Sequence, residues 1–307
     1  LSGLTVDETS EGLVVRSTAG FVDVLIDQRV VQARLRGRLK NAPRTTDLCV
    51  IGDIVRVAHA EEHSAVVVEV LPRKTRFSRR QPGRGPGRED VLIANLDQLL
   101  ITFCHGRPPL NTRLLDRFLV IAEHQELHAL VVMNKSDLRD PAESTWQKTY
   151  ESIGYPVLNV SAGTGEGLDG LERLLQGKIS AFVGPSGVGK SSLINRLLPD
   201  LDLKTSAISD HHGKGRHATR VATLHALPRG GFIADTPGIR ELGTWALPTE
   251  RLDRCFPELA PYRGRCAFRS CTHTHEPGCA VVEALRSERI DRDRYESYLR
   301  LREEKLA

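Results

Sequence analysis

The stretch Ile179–Leu198, "ISAFVGPSGVGKSSLINRLL", decides the fold. Its first five residues read as a buried strand. Gly184–Ser191 then match G-x-x-x-x-G-K-[ST], and "SSLINRLL" has helical spacing. Each position has a physical reason. Gly184, Gly187 and Gly189 let the backbone curl so that its N–H groups converge on one point. The following helix directs the positive end of its dipole there. The chemistry suited to that point is a phosphate chain. Lys190 reaches the β- and γ-phosphates and Ser191 offers a hydroxyl to Mg2+, while Pro185, Ser186, Val188 and Ser192 complete the lining. A strand, a glycine loop and a helix in this order predict an α/β domain.

The pattern extends both ways. "LDQLLITF", "LHALVVMN" and "YPVLNVSA" read as strands before the loop, with helix-like "LNTRLLDRFLVIAEHQ" and "EGLDGLERLLQ" among them; "VATLHAL" and "GFIADTPG" follow it. Alternating strands and helices predict a doubly wound, mainly parallel sheet. Asp235, 45 residues after Lys190, ends an apolar strand where it can hold Mg2+ through water, and Gly238 can present its N–H to a γ-phosphate.

The stretch "VVMNKSDL", Val131–Leu138, sets an Asn-Lys-x-Asp loop at the end of another strand. The Asp137 carboxylate can accept from guanine N1 and from the exocyclic amine, a donor pair that adenine lacks. Asn134 can bond the base and brace the loop, and the Lys135 stem can cover the ring. Ser161 and Ala162 of "SAG" follow the next strand, where the Ala162 N–H can meet the guanine carbonyl. Base loops that precede the phosphate loop reverse the usual order. A sheet tolerates this when its original termini lie close and new ends open in a surface connection. A circularly permuted nucleotide-binding domain is therefore expected.

Between the phosphate loop and "DTPG" lies the polar, glycine-containing "TSAISDHHGKGRHATR", expected to be ordered by γ-phosphate and Mg2+. Thr219 is the candidate Mg2+ ligand, with Thr205 as runner-up. Ile239 stands where many GTPases place a water-orienting Gln, and its side chain cannot polarise water. His217 is the candidate catalytic group beside Lys190 and Thr219. A solvated loop histidine, or completion of the site by a partner, remains the alternative.

Residues 1–71 carry short β-like runs without helical period, expected as a small antiparallel barrel or a hairpin-rich sandwich. Residues 72–90, "PRKTRFSRRQPGRGPGRED", read as a mobile linker. Residues 91–245 hold the α/β domain, and residues 246–307 turn helical and Cys-rich. In that last part "CAFRSCTHTHEPGC" places Cys266, Cys271, His273 and Cys279 as Cys-x4-Cys-x-His-x5-Cys, a closed set for one structural Zn2+. His275 is a substitute ligand and Cys255 a more remote one; paired disulfides are the bland alternative. Cys49 and Cys104 read as inert buried thiols. Tyr295, Tyr298 and Leu301 share one side of a terminal helix.

The chain has 307 residues and a net charge of +4. No apolar run approaches the roughly 20 residues of a membrane helix, and no N-terminal stretch resembles a secretory signal, so a cytoplasmic location is expected. The positive charge is clustered. Arg29, Arg34, Arg36, Arg38, Lys40 and Arg44 form one acid-free stretch, and seven basic residues occupy 73–88, again without an acid. A basic β-barrel suits RNA, through phosphates or structured RNA, because Phe21 and Phe77 are the only aromatics nearby.

Together, "NKSD", "VSAGTGEGL", "GPSGVGKSSLIN", "DTPGIRELG", "IANLDQLLIT" and "CAFRSCTHTHEPGCAV" resemble the bacterial ribosome-small-subunit-dependent GTPase A family. The resemblance covers nearly the whole chain. It implies an N-terminal OB-type barrel, a circularly permuted P-loop GTPase domain and a C-terminal zinc domain. It implies hydrolysis of GTP to GDP, with Mg2+ and one structural Zn2+, stimulated by the small ribosomal subunit late in its maturation. The implied partners are that subunit, its rRNA and other assembly factors; no membrane is implied, and a monomer is expected. The family's switch carries Gly-x-His and a run of Thr, whereas this chain reads "GRHATR", which keeps Thr219 and replaces its neighbours. An RNA-binding scaffold with little intrinsic hydrolysis is the alternative, and a GTPase of the large subunit is a third reading.

Overall fold

The computed structural model describes residues 9–18, 20–35, 49–60, 64–80, 89–140, 145–199, 201, 221–236, 239 and 249–304. The chain divides into two compact units, Leu1–Gln98 with Glu172–Phe182 and Ile194–Glu241, and Leu99–Leu171 with Val183–Leu193 and Leu242–Ala307.

In the first unit, strands β1 (Thr9–Thr18), β2 (Phe21–Ile26), β3 (Arg29–Leu35), β4 (Ile54–Ala60) and β5 (Ser64–Val70) pair in the order β1-β2-β3-β5-β4, and β4 returns to β1. That closure decides for the barrel over the sandwich, and only β3 and β5 run parallel. It is a five-stranded Greek-key barrel of OB type. Period-2 alternation produces it: Val22, Val24 and Ile26 of β2 point inward with Val14, Val55, Val57 and Val67. Asp27 and Gln28, with φ of 45° and 67°, form the two-residue turn between β2 and β3, the backbone that a twisted hairpin favours.

Residues 76–80 correct the linker expectation. They form β6 (Arg76–Arg80), which pairs antiparallel with β7 (Glu89–Ala94). Phe77 is fully buried and anchors the strand. Its arginine neighbours hid that anchor in the composition. Arg73 also differs from a solvated basic residue. Its guanidinium donates through Nε to Oδ1 of buried Asp53 at 2.7 Å and through Nη2 to Oδ2 at 2.9 Å, while Asp53 Oδ2 also accepts from Val50 N. Arg34 stacks over Phe21 at 5.1 Å. Arg36, Arg38, Lys40, Arg44 and residues 81–88 lie outside the described residues.

The same unit holds β11 (Ile179–Val183, whose last residue begins the next segment of the second unit), β12 (Ala222–Ala226) and β13 (Phe232–Asp235). β11 runs parallel to β13, as the strand–helix alternation implies, and β12 is antiparallel to both β13 and β1.

The second unit contains β8 (Gln98–Cys104, whose first residue closes a segment of the first unit), buried along its whole length, then β9 (His128–Asn134) and β10 (Val157–Asn159), in the order β10-β9-β8 with β9 and β10 parallel. The α-helices among the described residues are α1 (Thr112–His124), α2 (Thr145–Ser152), α3 (Leu168–Leu175), α4 (Lys190–Leu197), α5 (Ala280–Arg286) and α6 (Arg292–Glu303). Asn111 caps α1, its Oδ1 accepting from Leu114 N at 3.2 Å, and Asp291 caps α6 in the same way through Arg294 N at 3.1 Å. Tyr295, Tyr298 and Leu301 are buried along α6, the side that helical spacing assigned. No helix among the described residues is long and apolar enough to cross a membrane.

Candidate functional site

The end of β9 gathers the base-loop residues. Asn134 is the last strand residue and is 2% exposed. Its side chain is a bridge: Nδ2 donates to Val188 O in the phosphate loop at 2.9 Å, and Oδ1 accepts from Ala162 N at 3.1 Å. One amide thus ties together loops more than fifty residues apart in the chain, and both of its polar ends are satisfied in a buried place. Lys135 takes the left-handed conformation, φ 58°, which turns the chain sharply out of the strand. Its Nζ donates to Arg107 O at 2.6 Å and to Gly187 O at 3.2 Å, so its stem is laid across the loop.

Asp137 sits in a single 3-10 turn, Ser136–Leu138, and is exposed. Ser161 Oγ donates to Asp137 Oδ1 at 2.5 Å, which fixes one of the two carboxylate oxygens. The same hydroxyl accepts from Thr164 N at 3.1 Å, so buried Ser161 shapes its own loop as well. Ser136 closes the pair of loops by donating to Glu166 Oε2 at 2.6 Å. Asn134, Lys135, Asp137, Ser161 and Ala162 are therefore brought together as the sequence predicts.

The phosphate loop has no room for side chains at two of its glycines. Gly184 (φ 139°) and Gly189 (φ 91°) need a backbone that L side chains rarely adopt. A Cβ at Gly184 would collide with Thr102 O, and one at Gly189 with Asn134 Nδ2. The loop is a close-fitting backbone cradle, which fits a phosphate chain. Lys190 opens α4, and its Nζ donates to Gly184 O and Pro185 O at 2.7 Å each, so the ammonium is held over the cradle. Ser186 and Gly187 are exposed, Val188 is buried, and Ser191 follows Lys190 in the first turn of the helix. The contacts made by Thr102 and Arg107 carry no local sequence signal, because both meet the loop through backbone carbonyls.

The cysteine-rich segment folds around its four expected residues. Sγ of Cys266 lies 3.5 Å from His273 Nδ1, Sγ of Cys279 lies 3.6 Å from the same atom, and the two sulfurs are 3.9 Å apart. With Cys271, the four donor atoms all lie within 4.8 Å of one another. Tetrahedral Zn2+ bonds of about 2.3 Å to sulfur and about 2.0–2.1 Å to nitrogen place ligand atoms about 3.5–3.8 Å apart, so the cluster fits that ion. No pair forms a disulfide. Burial lowers the His273 imidazole pKa, which keeps a nitrogen lone pair free for a metal. The backbone beneath is braced: Tyr295 donates its hydroxyl to His273 O and Tyr298 to Thr272 O, both at 2.8 Å. Glu276 Oε1 accepts from Thr272 N at 2.7 Å and from the Thr272 hydroxyl, while Oε2 accepts from Thr274 N and His275 N. Burial pushes its carboxyl up, but the Thr272 hydroxyl and the backbone donors outweigh that and hold it well below the usual range. His275 and Cys255 stand outside the cluster, and burial pushes the Cys255 thiol up to about 12.

Comparison with known proteins settles what these motifs belong to. Residues 70–245 match the model described as RsgA GTPase, and residues 11–67 match the RsgA N-terminal domain. The chain belongs to the RsgA GTPase family. It is 45% identical over 300 residues to the small ribosomal subunit biogenesis GTPase RsgA of Gemmatimonas aurantiaca, covering 96% of this chain and 97% of that protein. It is 40% identical to the protein of the same name from Moorella thermoacetica, over 97% and 98% of the two chains. Among solved structures it resembles YjeQ from Thermotoga maritima, with a TM-score of 0.77 at 33% identity over 96% and 97% of the chains. It also resembles YloQ, described as a circularly permuted GTPase, with a TM-score of 0.75 at 26% identity over 98% and 96%. The RsgA fold class is therefore the one expected: a barrel, a permuted P-loop GTPase domain and a cysteine-rich C-terminal part.

The other predicted residues of this RsgA-family chain are placed only in part. Asp235 ends β13, half-buried, opposite Thr223 of β12. Ile239 is buried. Gly238, His217, Thr219 and Thr205 lie outside the described residues. Cys49 and Cys104 are buried free thiols, and burial, aided by Asp53, pushes Cys49 up to about 12.

A buried ion cluster was not legible in the sequence. Arg294 of α6, 2% exposed, pairs with Asp116 of α1 and donates through Nε to Glu258 at 2.7 Å. Its guanidinium lies 4.7 Å from the Phe256 ring and 5.3 Å from the Tyr150 ring, and Tyr150 donates to Asp116 Oδ1 at 2.6 Å. Burial alone would lower the Arg294 pKa, but the two carboxylates raise it above its ordinary value. Arg117 of α1 also pairs with Glu304 just past α6. The C-terminal helix is thereby fastened to α1, the helix that precedes β9.

Proposed function

We propose that the chain is an Mg2+-dependent enzyme that hydrolyses GTP to GDP and phosphate and acts late in maturation of the small ribosomal subunit. The observation that carries the nucleotide site is the Asn134 bridge, which holds the base loops and the phosphate loop in one arrangement despite the permuted order. Asp137, with one oxygen fixed by Ser161, accepts from the guanine donors through the other. Ala162 N–H, which already donates to Asn134 Oδ1, is shared with the guanine carbonyl as a second acceptor, and the Lys135 stem covers the base. The backbone from Gly184 to Ser192, with Lys190, receives the phosphates. Ser191, Thr219 and Asp235 would hold Mg2+, which would supply charge neutralisation at the γ-phosphate. Gly238 presents its N–H there, and His217 orients the attacking water. Cys266, Cys271, His273 and Cys279 hold one structural Zn2+.

The proposed domains are the barrel at 1–71, the GTPase domain at 91–245 and the zinc domain at 246–307, with the basic stretch 72–90 between the first two carrying β6 and the start of β7. The basic barrel, with Arg29 and Arg34 on β3, supports contact with rRNA of the small subunit. Other assembly factors are further partners, the chain acts as a monomer, and it works in the cytoplasm. GTP turnover, measured with and without small subunits, tests the reading. Turnover that rises with small subunits and vanishes in Lys190→Ala supports it. Nucleotide binding without stimulated turnover favours the scaffold, and stimulation by large subunits alone favours the third reading.

A further inference from the structure

The zinc-fitting cluster carries a feature that holding a metal does not require. Phe268 lies between ligands Cys266 and Cys271 and is 50% exposed, the one ring among the large exposed hydrophobic side chains of the described residues. Its backbone is pinned on both sides. Cys271 N donates to Phe268 O at 3.2 Å, closing a tight turn, and Ala267 N donates to Gly278 O at 3.1 Å. The ring is thus presented on a fixed backbone, so ordering it on binding costs little. The flanking Arg265 and Arg269 are exposed, and neither guanidinium meets a carboxylate among the described residues. From Arg263 to His275 the chain carries three Arg and two His with no acid. Glu276 adds one negative charge and three thiolates with a dication add another, so Arg263, Arg265 and Arg269 leave the loop 263–279 with a single net positive charge.

We propose that Phe268 is a stacking platform for one unpaired RNA base, with Arg265 and Arg269 on the flanking phosphates. Bases present a π-face to an aromatic ring, and arginines track the backbone on either side. A protein partner fits less well, because a stable protein interface needs an apolar core and Phe268 is the sole large exposed hydrophobic residue of 249–304. The aromatics of the two basic N-terminal stretches do not offer the same chemistry: Phe77 of β6 is buried and Phe21 of the barrel is covered by Arg34. This inference rests on the RNA reading of the preceding subsection and adds a named base-binding residue to it.

The test uses the full-length zinc-loaded chain and two labelled RNAs of equal length, a hairpin with an unpaired loop carrying 2-aminopurine and a fully paired duplex. Phe268→Ala is expected to weaken hairpin binding about 5- to 150-fold, leave duplex binding within twofold, and abolish 2-aminopurine quenching. Phe268→Trp is expected to restore both signals, which a purely structural role would not do. Zinc content and basal GTP turnover should match the parent chain. Equal loss on hairpin and duplex, or quenching that persists in Phe268→Ala, overturns the stacking role. Unchanged RNA affinity with lost binding to a ribosomal protein overturns it in favour of a protein partner. If the parent chain binds neither RNA nor small subunits, the RNA reading itself fails, a result distinct from failure of Phe268 alone.

Discussion

Replacing Asn134 with Ala tests whether the two halves of the nucleotide site are held by a single amide. The substitution removes the donor to Val188 O and the acceptor for Ala162 N. Val188 is buried, so its carbonyl loses a partner that water replaces poorly; the Ala162 amide is half-buried and more easily rescued. A buried polar group left unpaired costs about 1–3 kcal/mol, with the lower end for one that water reaches. The two together come to about 2–4 kcal/mol. The unliganded chain can relieve that strain by letting the loops part, so the penalty falls on the competent arrangement that nucleotide requires. Affinity should therefore fall about 30- to 1,000-fold, equally for GDP and for a non-hydrolysable GTP analogue, because both engage the same two loops. Fluorescent GDP titration measures the loss, and thermal melting without nucleotide should change far less. An affinity within threefold of the parent chain would refute the reasoning.

Three further perturbations follow from the same contacts. Asp137→Asn should move base preference from GTP toward xanthosine triphosphate, since an amide reverses the donor pattern; competition binding checks it, and unchanged selectivity would refute the contact. Arg294→Ala leaves Asp116 and Glu258 buried without their cation and should destabilise the chain by about 3–5 kcal/mol, read from urea unfolding; a shift under 1 kcal/mol would show that the ion cluster is not what fastens α6. Removing metal with a strong chelator should release one Zn2+ per chain and lower the melting temperature, because the braced loop loses its centre. Chelation without a change in melting would contradict a structural role.

The legible parts of this fold were those whose signal is local. The phosphate loop is readable because its glycines have to be adjacent in the chain, and β11 and α4 fall where the flanking residues place them. The four cysteine and histidine positions were readable from spacing alone, since one short segment holds them all. What remained hidden depends on partners from elsewhere in the chain. Arg294 stands in "DRDRYESYLRLREE", where any arginine looks solvated, and its burial is decided by Asp116 and Glu258. Strand β6 was concealed because Arg76, Arg79 and Arg80 dominate its composition while Phe77 alone supplies the anchor. Arg73 stands in a basic run that reads as surface, yet Asp53, twenty residues earlier, claims its guanidinium. Asn134 was readable as a base-loop residue, but its grip on Val188 required the folded sheet.

The central claim, a permuted GTPase activated by the small ribosomal subunit, is tested most directly by GTP turnover of the zinc-loaded chain alone, with purified small subunits and with large subunits. The account predicts slow release of phosphate by the chain alone, a clear rise with small subunits only, and none of that rise in Lys190→Ala. Turnover that small subunits leave unchanged, in a preparation that binds GTP, would contradict it.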